Sequence, residues 1–356
     1  MTEKKLKILV VRYRFIGDTV LTVPFLRNLR AAYPDAIIDM IVGPVSGEVI
    51  AECPYVDNFI IFDTTRKHKY ENTDTERKTF FSYVKMIKKQ NYDKAYVLKR
   101  SLSSALLVFL AGIKERIGFD TEHRGILLTK KVKYDEKVHE VESFLDVLKA
   151  DNVAVKDSYL ENHVSEKAKD KIEDILYSLK LEDNPKVLIH ATSGNANKHW
   201  RSKDFAEVIE YLSNVRRCQI FYTGTKADYD IYSEIHSHIN ATLKVKPINL
   251  CGELSIQDSM ALINKMNFVV GVDSGTLHIA ASLNIPVIGI YGPMSPTKWK
   301  AYGDIHTSLY SDRECVPCGL RKKCPINNQC LKDITSDMVI QECKKALENK
   351  TRNGYE

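Results

Sequence analysis

The stretch KILVVRYRFIGDTVLTVPFLRNLR, residues 7–30, opens on the apolar run 7–11 and passes through Gly17 and Asp18 into a segment with helical spacing of its apolar residues. A short continuous apolar run followed by an amphipathic segment is how a strand buried on both faces leads into its crossover helix. Pro24 within the helical part predicts a kink or a late helix start. The alternation recurs in two series. The first continues with apolar runs at 37–42, 58–62, 94–98 and 116–119, and the second has runs at 186–192, 218–224, 246–252, 268–275 and 285–292. Between the runs of the second series lie SKDFAEVIEYLSN, DYDIYSEIHSHI, SIQDSMALINKM and TLHIAASLN, all near helical spacing. Strand, helix, strand repetition predicts an α/β protein with parallel sheets covered by helices on both faces.

At 356 residues the chain exceeds the size at which a single core keeps growing, and its hydrophobic content of 44% suffices for two. The charged stretch VSEKAKDKIEDILYSLKLEDNPK separates the two series, which places the boundary near 155–185. The expected domains are 1–165, 166–333 with its cysteine cluster, and a closing helix and tail at 334–356. There is no apolar run of about 18 residues, and the N-terminus lacks a cleavage site, so a soluble, cytoplasmic protein is expected. The net charge of +6 suits anionic substrates or a membrane surface. Nucleic acid is not expected, because no zinc-finger, RNP or Arg-rich signature occurs and the basic residues are interspersed with acidic ones.

Parallel sheets bind ligands beyond the carboxyl ends of their strands, so motifs at those ends carry the functional reading. In VDSGTLHIAAS, residues 272–282, Asp273, Ser274, Gly275 and Thr276 stand between strand and helix, with His278 in the first turn. Free N–H groups there, with the hydroxyls, suit a phosphate; an ordinary N-cap is the structural alternative. Thr192 and Ser193, after the first strand of the second series, add hydroxyl donors, and Lys198 adds a mobile cation. Asp228, beyond Gly224, suits ribose hydroxyls or a helix first turn. In the first series Asp18 would repel a phosphate. It is either a helix cap or, facing a cleft, a base that takes a proton from a substrate hydroxyl. Lys99, Arg100, Arg116 and Arg124 suit acceptor carboxylates or phosphates, or are solvated surface charge.

Four of the eight cysteines, Cys53, Cys218, Cys251 and Cys343, are isolated, and three of them sit in or beside apolar segments and read as buried thiols. The other four, Cys315, Cys318, Cys324 and Cys330, form C-x2-C-x5-C-x5-C. This spacing suits a structural zinc site, with an iron-sulfur cluster or regulated disulfides as alternatives.

Together, ILVVRYRFIGDTVLTVPFLRNLRAAYPDAIIDMIV, LSSALLVFLAGIKERIGFD, HATSGNANKHW, GVDSGTLHIAASLNIPVIGIYGP and the late cysteines resemble glycosyltransferase family 9, the ADP-heptose:lipopolysaccharide heptosyltransferases, over nearly the whole chain. The resemblance implies a GT-B fold, two Rossmann-like domains facing across a cleft, with the acceptor on the first and the nucleotide sugar on the second. It implies metal-independent, inverting transfer of heptose from ADP-heptose to the lipopolysaccharide inner core, with no catalytic cofactor. Asp18 falls on the family's proposed base, Lys198 on its diphosphate lysine, and Thr192 and Ser193 on the neighbouring hydroxyl pair. Asp273, Ser274, Gly275, Thr276 and His278 fall on its D-[ST]-G-x-x-H donor segment, and Asp228 corresponds loosely to a ribose contact. The implied partners are the nucleotide sugar, the lipopolysaccharide core and the inner face of the inner membrane. The alternatives are a GT-B transferase or epimerase using another nucleotide sugar, and a nucleotide-binding regulatory protein in which the cysteines respond to metal or redox state.

Overall fold

The computed structural model describes residues 5–64, 77–319 and 323–352; the tail expected after the closing helix lies, from 353 on, outside them. The chain divides into two compact units, Met1–His163 and Val164–Glu356.

The first unit runs β1 (Lys7–Val11), α1 (Ile16–Val20), α2 (Val23–Ala32), β2 (Ile37–Val42), α3 (Pro44–Glu48), β3 (Asn58–Ile61), α4 (Phe80–Gln90), β4 (Lys94–Val97), α5 (Leu102–Leu110), β5 (Glu115–Phe119), β6 (Lys130–Val132) and α6 (Glu140–Ala150). The strands form one parallel sheet in the order β3-β2-β1-β4-β5-β6. Pro24 does delay a helix: α1 stops at Val20, and α2 begins at Val23 with the proline in its first turn, where its missing N–H costs nothing. Leu9, Val11, Ile41, Ala95 and Val97 of the sheet pack against Tyr83 and Ile87 of α4 and Ala105 and Val108 of α5. Each such side chain, taken out of water, contributes roughly 1.5–3 kcal/mol.

After α6 the chain forms no further helix before the boundary, yet it is tied down. Arg27 of α2 donates to Asp157 (2.9 Å), to Glu161 (2.6 Å) and to the Tyr159 carbonyl (2.8 Å), and lies 3.6 Å from the centre of the Tyr159 ring. Asn28 bonds the backbone of Lys156 and Asp157 at 2.7 and 2.9 Å.

The second unit runs α7 (Glu166–Ser178), β7 (Lys186–His190), α8 (Ser202–Asn214), β8 (Gln219–Tyr222), α9 (Tyr229–Ser237), β9 (Ile248–Asn249), α10 (Ile256–Ile263), β10 (Phe268–Val272), α11 (Gly275–Ser282), β11 (Val287–Ile290), α12 (Pro296–Trp299), β12 (Thr307–Leu309), α13 (Gln329–Lys332) and α14 (Ser336–Arg352). Its sheet is again parallel, in the order β12-β11-β10-β7-β8-β9. Numbered within each unit, both orders are 3-2-1-4-5-6, the Rossmann order. The strand order reverses between β1 and β4 in the first unit and between β7 and β10 in the second, the switch points at which such sheets leave a crevice. Trp200 stacks edge-on against Phe205 of α8 at 4.9 Å and donates to the Ile334 carbonyl at 2.9 Å, which anchors the segment leading into α14.

All eight cysteines are free, and among the described residues no group of His, Cys, Asp and Glu side chains is placed to hold a metal ion. Cys330 turns into the core beside Leu331, whereas Cys315 and Cys318 are exposed and Cys324 is half-buried. The four thiols of the cluster lie near enough to act on one another electrostatically, with Cys330 also packed in the core, but among the described residues they are not arranged as a metal centre, so a zinc or iron-sulfur site has no support here.

Candidate active site

Each unit carries a cluster of functional side chains at its switch point. In the first unit Asp18 lies in α1, directly after β1. It does not cap that helix: the N-cap is Phe15, held at φ 60°, where bulky side chains are rarely found, and no side chain caps the turn. The Asp18 carboxylate instead forms a buried ion pair with Arg12, the first residue beyond β1. Burial raises the Asp18 pKa; Arg12 opposes this, Glu140 adds to it, and Arg100 and Lys99 oppose it. The net effect is a carboxylate with more than its ordinary affinity for a proton, inside a cationic setting.

Glu140 is fully buried at the start of α6 and accepts from Tyr134 Oη at 2.6 Å. Arg100 lies 3.8 Å from the centre of the Tyr134 ring. Lys99 follows β4, and its Nζ is 5.0 Å from the Tyr13 ring centre. Burial, with repulsion from Arg12 and Arg14, lowers the Lys99 pKa to about 8. Arg124 is buried, with Nε donating to the Phe119 carbonyl at 2.9 Å and Nη2 to Thr121; its Nη1 has no protein partner. Arg12, Lys99, Arg100 and Arg124 thus act on one another electrostatically around Asp18.

Arg116 does not join them. It sits near the opposite, amino end of β5, where it donates to the carbonyls of Ile113, Lys114 and Leu127 and stacks on Phe109 at 5.4 Å. Its charge holds the β5 loop, so its expected acceptor role has no geometric support.

In the second unit Lys198 Nζ lies 2.8 Å from Asp273 Oδ2, which joins the loop after β7 to the end of β10. Asp273 is almost wholly buried, and this burial raises its pKa while Lys198 opposes the rise. Ser274 is the N-cap of α11, but its side chain caps nothing, and its buried Oγ has no protein partner. The N–H groups of Gly275, Thr276 and Leu277 begin the helix and have no intrahelical acceptors. Thr276 Oγ1 lies 3.2 Å from His190 Nε2, and burial lowers the His190 pKa to about 4, so this imidazole is neutral. Thr192 and His278 are buried beside these strands. The Ser193 backbone is fixed by His199, whose Nε2 is 3.1 Å from its nitrogen and 3.0 Å from its oxygen.

Asp228 is engaged locally: its Oδ2 accepts from the Thr225 N–H at 2.7 Å and hydroxyl at 2.8 Å. A Cβ on Gly224 would lie 2.7 Å from the same oxygen, so the turn requires glycine there. Asp228 remains close enough to His190 to act on its charge.

Sequence reading overlooked Arg12, Tyr134, Glu140 and His190. Arg12 and His190 stand at strand ends, where the same positional rule would have found them; Tyr134 and Glu140 enter the cluster only through tertiary packing.

Two Rossmann-like units in one chain, one presenting a buried carboxylate among cations and the other a helix start with unspent donors and a lysine, fit the GT-B class of glycosyltransferases. The chain belongs to glycosyltransferase family 9 (heptosyltransferase), whose family model matches residues 80–329. It is 29% identical over 301 residues to lipopolysaccharide heptosyltransferase 2 of Escherichia coli K12, covering 82% of this chain and 84% of that relative. With lipooligosaccharide heptosyltransferase 2 of Campylobacter jejuni it shares 27% identity over 357 residues, 97% of this chain and 99% of the relative. Among solved structures, E. coli ADP-heptose lps heptosyltransferase II superposes with a TM-score of 0.78 at 24% identity, covering 97% of this chain and 100% of that one.

Proposed function

We propose that the protein transfers heptose from ADP-heptose to a hydroxyl of the lipopolysaccharide inner core, with inversion at the anomeric carbon. The acceptor oxygen forms its bond to that carbon as the bond to the diphosphate oxygen breaks; Asp18 takes the hydroxyl proton, and ADP leaves with the bonding electrons. The observation that carries this reading is the state of Asp18: buried, raised in proton affinity, and not spent as a cap. Lys99, Arg100 and Arg124, with Arg12 close by, neutralise the acidic groups of the acceptor.

On the donor side Lys198, Ser274 Oγ, the hydroxyls of Thr192, Ser193 and Thr276, and the first amides of α11 stabilise the charge growing on the leaving diphosphate. Asp273 and His278 orient the donor around them, and Asp228 has an oxygen, Oδ1, left for ribose. Because the acceptor is lipid-anchored, the reading sets the protein to work at the cytoplasmic surface of the membrane. Purified protein mixed with ADP-heptose and a heptose-deficient core should release ADP and lengthen the core by one sugar. Tight nucleotide binding without ADP release would return the chain to a binding role, and turnover of a different nucleotide sugar alone would reassign the donor.

A further inference from the structure

α5, LSSALLVFL, contains no charged residue, and beyond the two serines of its first turn it is wholly apolar. A helix of this kind is normally buried on every side. Here Ala105, Leu107 and Val108 face the sheet, whereas Leu102, Phe109 and Leu110 are exposed and Leu106 is half-buried. At 100° per residue these four fall on one outward stripe. Ile126, in the 3-10 turn packed on α5, extends the stripe and is 82% exposed.

α4 packs alongside, and its outward line is Phe81, Lys85 and Lys88, with Lys89 next to it. Neither helix nor the 3-10 turn contains an Asp or Glu. The stripe starts at Leu102, immediately after the Lys99–Ser101 segment of the acceptor cluster.

We infer that the α4, α5 and 3-10 face of the first unit docks on an anionic lipid bilayer, with Leu102, Phe109, Leu110 and Ile126 entering the headgroup boundary and Lys85, Lys88 and Lys89 contacting lipid phosphates. Charge decides between occupants. Along α4 and α5 a second copy of the chain presenting the same face would set lysine against lysine, whereas an anionic surface complements these lysines; the exposed carboxylates Asp120 and Glu122 stand at the 3-10 end of the face, away from them in sequence. Docked in this way, the protein holds its acceptor cations at the level where a lipid-anchored sugar emerges. The inference rests on the acceptor reading given above for its purpose, not for its geometry.

The test is sedimentation of the full chain with phosphatidylglycerol/phosphatidylethanolamine vesicles and with phosphatidylcholine vesicles. Binding is expected on the anionic vesicles alone. Phe109→Glu with Leu110→Glu should weaken it at least 10-fold, and Lys85→Glu with Lys88→Glu should weaken it and flatten its salt dependence. Should the double apolar variant fail to fold, Ile126→Glu reads the same face at a position outside the core. Absent wild-type binding, or unchanged binding by the variants, overturns the inference; so does a self-association in solution that these substitutions abolish. ADP release measured with a delipidated acceptor should be unchanged in the variants. If even the wild type releases no ADP there while vesicle binding still depends on the face, the transfer reading fails and the docking surface stands.

Discussion

At the scale of single residues, the ion pair between Arg12 and Asp18 resolves an ambiguity that sequence leaves open. Gly-Asp between strand and helix reads equally well as a cap, and only the coordinates show the carboxylate turned to Arg12 while Phe15 occupies the cap position. Asp18→Asn should lower kcat on the order of 100-fold or more with donor affinity retained, as measured by turnover and by nucleotide titration. Because burial and Glu140 raise the Asp18 pKa, the acid limb of kcat/KM should lie above the ordinary carboxylate range. Glu140→Gln removes a like charge, favours ionised Asp18 and should move that limb to lower pH; an unmoved limb would detach Glu140 from the base. Lys99, with a pKa of about 8, loses its charge as pH rises through that value. Acceptor KM should therefore rise above pH 8 while donor KM does not, and Lys99→Arg should remove the rise.

At the scale of elements, the apolar runs made ten of the twelve strands among the described residues legible, because a strand covered on both faces has nothing polar to interrupt it. The two that were not legible, β6 with KKV and β12 with TSL, are three-residue edge strands, held by backbone pairing with almost no apolar signal. Strand ends also made most of the candidate site legible, but not which atoms were already engaged: Arg116 suits a ligand by type and is spent on loop carbonyls, and Asp228 has one carboxylate oxygen committed to a turn. The 155–162 segment, read from sequence as the start of a boundary region, is fastened to α2 just ahead of the division at 163/164. Arg27→Ala should cost about 2 kcal/mol, given partly exposed partners, and should open this segment to limited proteolysis; urea denaturation measures the first effect. In the second unit, a Cβ on Gly271 would lie 2.8 Å from the His190 carbonyl oxygen across the β7–β10 pair. Gly271→Ala should thus destabilise that unit by about 1–3 kcal/mol and disturb His190 along with Thr276.

At the scale of the whole molecule, two units of the same strand order, each with its own core, each carry a cluster of polar side chains at the switch point of their own sheet. Periodicity revealed their number, while the thiol spacing alone says nothing about which side chain packing will claim. The distribution of cysteines has a practical consequence. Cys53 is the one cysteine of the first unit and is buried; Cys218, Cys251, Cys330 and Cys343 are buried in the second. Burial pushes Cys53 and Cys218 up to about 11 and Cys251 up to about 12, so they carry little of the thiolate that reacts. A chromogenic disulfide reagent should therefore titrate Cys315 and Cys318 first. On gradual unfolding the further stoichiometry becomes a tally of which half has opened, one equivalent for the first unit and five for the second, half-buried Cys324 among them, read from a single absorbance trace without any label.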